Sequence, residues 1–256
     1  MYKLLKKYEN NYRRQKREIE IKQIIKHFFE YKSNDSSSKK VLEFGSGEGS
    51  QLSYLSSYFD IYATDLYIPE CFLKKTGFNN YLVSNIENTP FCDNYFDIIF
   101  SNHVLEHLEN INKAFNELKR IGHNKTVYIF CVPTNLWLLL SVPAQYFNKA
   151  MKILNKNSKE NANYQQEYNR SESVQGKKVI DYVKIKGHGV ERNFKKCFNS
   201  FKIDSWKKLF ISNGFSVKLI KPILLYSASE FPIIPIIKIN SIKFCSSVMF
   251  ILEKQK

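Results

Sequence analysis

No apolar run among the 256 residues approaches the ~18 needed to cross a membrane. The longest candidates, 136–143 and 231–237, are too short. The opening Met1-Tyr-Lys-Leu-Leu-Lys-Lys-Tyr8 is too charged to hold the apolar segment of a signal peptide, so the cytoplasm is the expected location. Cysteine is sparse: Cys71, Cys92, Cys131, Cys197 and Cys245 stand singly, with no Cys-x-x-Cys pair. An odd, unclustered set argues against a disulfide framework and a zinc site, and favours a reducing compartment. No metal site is expected, and no internal repeat is visible. Apolar residues make up 43%, which is ordinary for a globular chain and excludes wholesale disorder.

Acidic charge is in short supply, and its distribution matters more than the total of +15. Residues 1–32 carry a net +6, residues 33–133 a net −4, and residues 134–256 a net +13. The basic excess thus flanks a mildly acidic middle. A cationic surface would attract nucleic acid, an anionic membrane or an anionic substrate. A lysine-rich composition with solvated side chains accounts for it equally well, and nucleic acid is not the favoured partner.

Apolar residues at Tyr8, Tyr12, Ile21, Ile24, Ile25 and Phe28 recur near helical spacing and predict one or two amphipathic helices. The polar segment 33–38 reads as a linker. Beyond it, short apolar runs at 41–44, 61–64, 81–83, 96–101 and 126–132 predict five strands, with helices over 52–58 and 109–121. Strands alternating with helices at these intervals point to parallel βαβ units. The rhythm breaks after Pro133: 136–154 is apolar with late lysines, and 155–176 is polar and reads as a loop or cover. A helix over 205–211, closed by Asn213-Gly214, and strands over 215–226 and 247–252 complete the pattern.

The strongest local signal is Glu43-Phe-Gly45-Ser-Gly47-Glu-Gly49, at the end of the first strand. Alternating glycines let the backbone turn tightly and approach a ligand. The dinucleotide fingerprint places its third glycine one residue later, so a nicotinamide ligand is disfavoured. A carboxylate two residues before the first glycine suits a ligand with a cationic group nearby. Asp65 ends the second strand, 22 residues after Glu43. A carboxylate there can accept from both hydroxyls of a ribose, which argues against a phosphate on that sugar.

Taken with Glu87-Asn-Thr-Pro-Phe91, Phe96-Asp97 and Val104-Leu-Glu-His107, these residues resemble the class I S-adenosylmethionine-dependent methyltransferases of the small-molecule, type 11-like kind. Enzymes of ubiquinone and sugar pathways belong to that group. The resemblance covers about residues 40–133, with a weaker echo at 206–215. It implies a doubly wound α/β fold with a mostly parallel seven-stranded sheet. Residues 1–38 would form an N-terminal helical extension and linker. Residues 39–256 would form the methyltransferase domain, with a substrate-covering insertion at about 134–200.

The resemblance also implies a cofactor-binding set: Glu43, Gly45, Ser46, Gly47, Gly49, Asp65, Leu66, Asn85, Ile86, Ser101 and Asn102. In it the glycine loop packs against the methionine part of the cofactor. Glu43 helps hold its amino group and Asp65 its ribose. Asn85 stands where the family usually has an aspartate facing the adenine, and an amide oxygen can still accept from the adenine amine. Ile86 offers a backbone N–H to the ring. Ser101, Asn102 and His103 would lie beneath the methyl donor, and S-adenosylhomocysteine would be the product.

A sulfonium is already a good leaving group, so the protein's tasks are in-line alignment and exclusion of water. A hydroxyl or acidic carbon acceptor would profit from a general base, for which His103, His107 and His188 are the candidates. The Asn/Asp-Pro-Pro-aromatic segment of many amine N-methyltransferases is missing after the fourth strand, where Ser101-Asn-His-Val104 stands. Cys131 has no basic neighbour in sequence to make it a nucleophile. The leading expectation is therefore a small-molecule, glycan or lipid-linked acceptor. An RNA or protein substrate, suggested by the basic flanks, and a non-catalytic cofactor-binding partner remain the alternatives. The apolar run 136–147 would serve as a lid, a core contact or a peripheral membrane contact at the inner face.

Overall fold

The computed structural model describes residues 2–32, 39–67, 80–154, 185–228 and 234–255. A single sheet forms its centre. The strands are β1 (Lys40–Phe44), β2 (Asp60–Asp65), β3 (Tyr81–Val83), β4 (Phe96–Asn102), β5 (Gly122–Pro133), β6 (Phe215–Leu225), β7 (Ile237–Lys238) and β8 (Ser247–Lys254). Their spatial order is β3-β2-β1-β4-β5-β8-β6-β7. Pairings among β1 to β5 are parallel, and β8 lies antiparallel between β5 and β6.

Both faces of the sheet are covered, which is why its central strands read as continuous apolar runs rather than alternating ones. Successive residues serve opposite faces. Leu42, Ile99, Phe130 and Phe250 join one core, while Val41, Ile98, Ile129 and Ile251 join the other. The first core is closed by α3 (Ile111–Ile121) and α7 (Ile203–Ser212), with Phe115, Phe130, Phe210 and Phe215 fully buried at its centre. Asn110 caps α3 by accepting from the Lys113 N–H at 3.1 Å.

The second face is covered by α1 (Tyr2–Tyr31), a helix of 30 residues. Tyr12, Ile21, Ile24, Ile25 and Phe28 pack against Val41, Leu55, Ile61, Ile98 and Ile129. From Tyr12 onward the periodicity seen in the sequence is therefore a single core-facing stripe that covers one face of the sheet, whereas Tyr8 is exposed.

The structure departs from the seven-stranded expectation by one element. The two-residue β7 pairs with Leu224 and Leu225 at the outer edge of β6. The helix expected over 52–58 stops early, as α2 (Leu52–Leu55). Ser56 and Ser57 both turn their hydroxyls back onto the Ser53 carbonyl, the local competition that makes serine a weak helix residue. The apolar run 136–154 is two helices, α4 (Asn135–Leu140) and α5 (Val142–Leu154). Pro143 has no N–H to continue α4, and its ring would meet the carbonyl of Leu139. The expected loop 155–176 lies outside the described residues. A short helix, α6 (Phe194–Ser200), precedes α7.

From β1 the chain winds outward to β2 and β3, then returns to β4 and winds the other way to β5. The carboxyl ends of β1 and β4 therefore flank a crevice at the point where strand order reverses, the place where open α/β sheets bind ligands.

Candidate functional site

On one side of that crevice, β1 runs straight into the glycine loop. The Gly45 and Ser46 N–H groups both donate to the Thr64 carbonyl of β2, at 2.7 and 3.1 Å. Gly45 has φ +70°, and a Cβ there would lie 2.3 Å from a methyl of Val104. The loop thus passes too close to the segment after β4 for any side chain. Gly47 also has positive φ, at +54°, but a Cβ on it would meet nothing within 4 Å. Bare backbone faces open space at that point, the cradle a ligand needs.

Asp65 ties this loop to β2. One carboxylate oxygen accepts from the Gly47 N–H and the other from the Leu66 N–H, both at 2.7 Å. Each oxygen keeps a lone pair for a further donor. The Tyr81 hydroxyl donates to the Gly47 carbonyl at 3.0 Å, so β3 braces the loop from the far side. Burial, then the charges of Asp65 and Glu43, raise the Tyr81 phenol well above its ordinary value.

Glu43 is 3% exposed, and its Oε2 has no hydrogen-bond partner. Burial, with help from Asp65 and against the pull of Arg17, moves its carboxyl up to about 8. Gln51 Oε1, Ser101 Oγ and Asn102 Oδ1 are likewise buried without partners. Buried polar groups without partners are rare and costly, so those on β1, at the glycine loop and at the end of β4 are candidates for contact with a ligand. Ser46 instead turns its hydroxyl onto the Glu43 carbonyl at 3.0 Å, and Gly49 closes the turn by donating to the Ser46 carbonyl at 2.9 Å. Leu66 is exposed and Ile86 buried. The exposed Asn85 uses its side-chain oxygen to accept from the Glu87 N–H at 2.9 Å. Its second lone pair and its amide N–H groups are what is left for a ligand.

The other side of the crevice is built from distant segments. Glu20, on α1, is fully buried. It accepts from the Asn102 side-chain amide at 3.0 Å, faces His103 Nε2 at 3.0 Å, and lies 3.9 Å from Lys16 Nζ. His103 sits in the left-handed region, φ +58°, immediately after β4. Its Nε2 also meets the Tyr226 hydroxyl at 3.1 Å, and its Nδ1 lies 3.6 Å from Glu106. Burial alone would discharge both partners. Lys16 and His103 instead draw the Glu20 carboxyl far below its usual range, and Glu20 and Glu106 lift the His103 imidazole above its own. Lys16, Glu20, His103 and Glu106 thus form an alternating chain of charges that fastens α1 to the end of β4.

His107 and His188, 81 positions apart, come together with ring centroids 4.9 Å apart. His188 also meets the ring of Trp137, at 4.6 Å. It stands on a hairpin-like segment held by the Gly187 N–H to the Arg192 carbonyl, at 2.9 Å, and by the Val190 N–H to the Glu106 carbonyl, at 3.1 Å. A cavity of about 420 Å³ beside it is lined by Glu106, His188, Leu108, Ile111, Trp206 and Leu209. Trp206 is held in place by donating its indole N–H to the Pro133 carbonyl at 3.1 Å.

The structure therefore gathers Glu43, the glycine loop, Asp65, Ser101 and Asn102 in one crevice. It sets His103 in an ion network and leaves His107, half exposed, beside His188. Sequence reasoning overlooked Lys16, Arg17, Glu20 and Tyr226. One signal was present: Tyr12, Lys16, Glu20, Ile24 and Phe28 repeat every four residues, so two charges stand within an apolar stripe.

Residues 42–130 match the family model described as a methyltransferase domain. A malonyl-[acyl-carrier protein] O-methyltransferase of Buchnera aphidicola subsp. Baizongia pistaciae is 33% identical over 81 residues, which are 32% of this chain and 30% of that one. The chain thus spans less than a third of that relative's length. Among solved structures, a SAM-dependent methyltransferase from Thermotoga maritima matches over the whole of both chains with TM-score 0.54 and 15% identity. One from Clostridium acetobutylicum covers 93% of this chain and 92% of its own, with TM-score 0.55 and 11% identity. A Haloferax volcanii methyltransferase, solved with a methyltransferase activator, covers 95% and 93% with TM-score 0.56 and 13% identity.

Proposed function

From the premise that the chain carries a class I S-adenosylmethionine-dependent methyltransferase domain, we propose that it transfers a methyl group to a small-molecule, glycan or lipid-linked acceptor by in-line displacement. The observation that carries this reading is the open glycine loop at the strand switch point, with buried, unpartnered oxygens on Glu43 before it and on Ser101 and Asn102 at the end of the neighbouring β4.

These residues fit the cofactor's chemistry. Glu43 would receive an ammonium, which would complete its empty Oε2 and favour its ionised form. The loop from Gly45 to Gly49, with Ser46, would pack against the aminoacyl chain. Asp65 keeps lone pairs for two ribose hydroxyls. Leu66, Asn85 and Ile86 would border the adenine, and Ser101 and Asn102 would close the floor. When bound, S-adenosylmethionine supplies a methyl group on a sulfonium that needs no further activation.

What remains for the chain is placement, exclusion of water and disposal of a proton. The helix α1, fastened through Glu20, roofs the crevice and keeps water from the reacting centre. His103 has both ring nitrogens engaged and its charged form favoured, so its part is to hold Glu20 and Glu106 in position. His107, half exposed beside His188, is then the imidazole best exposed towards an acceptor hydroxyl.

Calorimetric titration with S-adenosylhomocysteine tests the cofactor reading. Asp65→Ala should weaken binding by about 1.5–3 kcal/mol, the range for hydrogen bonds to a charged group. Parent-like affinity in the variant would remove Asp65 from the ribose. An RNA acceptor, favoured only by the basic flanks, predicts binding that falls steeply with salt.

A further inference from the structure

We infer that Glu106, His107 and His188 form a binding site for one divalent ion of the zinc or manganese type, a site the cysteine spacing gave no reason to expect. One ligand atom from each residue lies within 4.8 Å of the other two. The His107 Nε2 to Glu106 Oε1 distance is 4.0 Å. Bonds of about 2.0–2.2 Å in a tetrahedral shell would need the atoms to close by roughly 1 Å. His107, with half its side chain exposed, has the rotamer freedom for that movement.

Two further observations separate this group from an accident of packing. The Glu106 side chain is 1% exposed, and its Oε2 has no hydrogen-bond partner. A carboxylate is thus buried with one oxygen unsatisfied, beside two imidazoles. The backbone is also built to bring His188 here. Gly189 has φ +70°, and a Cβ on it would lie 2.0 Å from the Glu106 carbonyl oxygen. Only glycine permits that approach, and the Val190 N–H then clasps the same carbonyl. His103 Nδ1, 3.6 Å from Glu106 Oε1, supplies the outer contact that orients a ligating carboxylate.

A second group of similar composition, Glu20, His103 and Cys131, makes the contrast. Both Glu20 oxygens there are already engaged by Asn102, His103 and Lys16, and burial pushes the Cys131 thiol well above its ordinary range. That group is closed. Glu106, His107 and His188 supply three ligands, a donor set that leaves one position open beside the 420 Å³ cavity. An oxygen donor of the acceptor would take that position, and the ion, in place of a His107 or His188 imidazole, would then assist the loss of its proton. This use of the ion rests on the methyl-transfer reading, whereas binding of the ion does not.

The test uses full-length protein stripped with chelator and titrated with Zn²⁺ by calorimetry and with Mn²⁺ by electron paramagnetic resonance. Saturable binding of one ion per chain is expected. His107→Ala and His188→Ala should each weaken it at least ~10-fold. The control His27→Ala, at the largely covered histidine of α1 that pairs with Glu30, should leave it unchanged. S-adenosylhomocysteine affinity, measured in parallel, should stay within about twofold in all three variants, so loss of cofactor binding and loss of metal binding are read separately. His107 is exposed, so its variant remains informative even if His188→Ala fails to fold. Absence of saturable binding of either ion, or equal binding by parent and His107→Ala, overturns the site.

Discussion

The two walls of the crevice are made in different ways. The wall formed by β1 and β2 draws Glu43, the glycine loop and Asp65 from 23 consecutive residues, and its hydrogen bonds join positions 18 apart. The opposite wall joins Glu20 to His103 across 83 positions, Tyr226 to His103 across 123, and His188 to His107 across 81. The first is a local motif whose geometry follows from residue types and spacing. The second exists only once α1, β4, β6 and the segment around His188 have packed. Its charges are held against burial by their opposite partners, and the link that joins α1 to the end of β4, Glu20 to His103, has no counterpart among neighbours in sequence.

That contrast breaks most visibly at Glu20. Glu20→Gln leaves Lys16 and His103 without their buried counter-charge, and should cost about 3–5 kcal/mol of folding stability by urea denaturation. A loss below about 1 kcal/mol would mean that the network is solvated and that α1 is held by its apolar stripe alone. Gly45→Ala strikes the local wall. The clash with Val104 and the positive φ should cost about 1–3 kcal/mol in strain, and S-adenosylhomocysteine affinity should fall with it. Unchanged affinity would show that the loop can relax away from β4.

Proton linkage at Glu43 is expected to have a smaller effect per step. Its carboxyl is raised to about 8 in the cofactor-free fold. A ligand ammonium favours the ionised form, so binding releases a proton. Affinity for S-adenosylhomocysteine should rise with pH up to about 8, by at most tenfold per unit, and then level. Glu43→Gln should flatten the profile. The same raised value makes the cofactor-free fold lose stability as pH climbs from the ordinary 4.5 of a glutamate towards 8. The smallest change is expected for Asn85→Asp. It keeps the turn with the Glu87 N–H and adds charge at an exposed position, so cofactor affinity should shift by less than about 1 kcal/mol by calorimetry. A larger gain would place the adenine firmly against that side chain.

Much of the fold was legible because its central strands are short, apolar and regularly spaced. All five strands expected between residues 41 and 132 are present, and the helix expected over 109–121 is α3. The errors fall where local pattern gives no information. Two serines shortened α2, and a proline divided the run after residue 134. The edge strand β7 is only two residues long and leaves no periodic trace. In the site, the glycine loop and Asp65 were readable as a pair. Nothing within ten residues of His103 announced that a helix 83 positions earlier would supply its counter-ion.

Residue order alone determined the alternation of strands and helices, the placement of glycines where backbone must come close, and the carboxylates at the ends of β1 and β2. These depend on φ, side-chain size and a two-residue or four-residue period, all of which are local. Tertiary structure decided which charges are buried together, that α1 covers one face of the sheet and meets the end of β4, and that His188 meets His107. Those outcomes follow from desolvation and long-range packing, and neither property belongs to any stretch of sequence taken by itself.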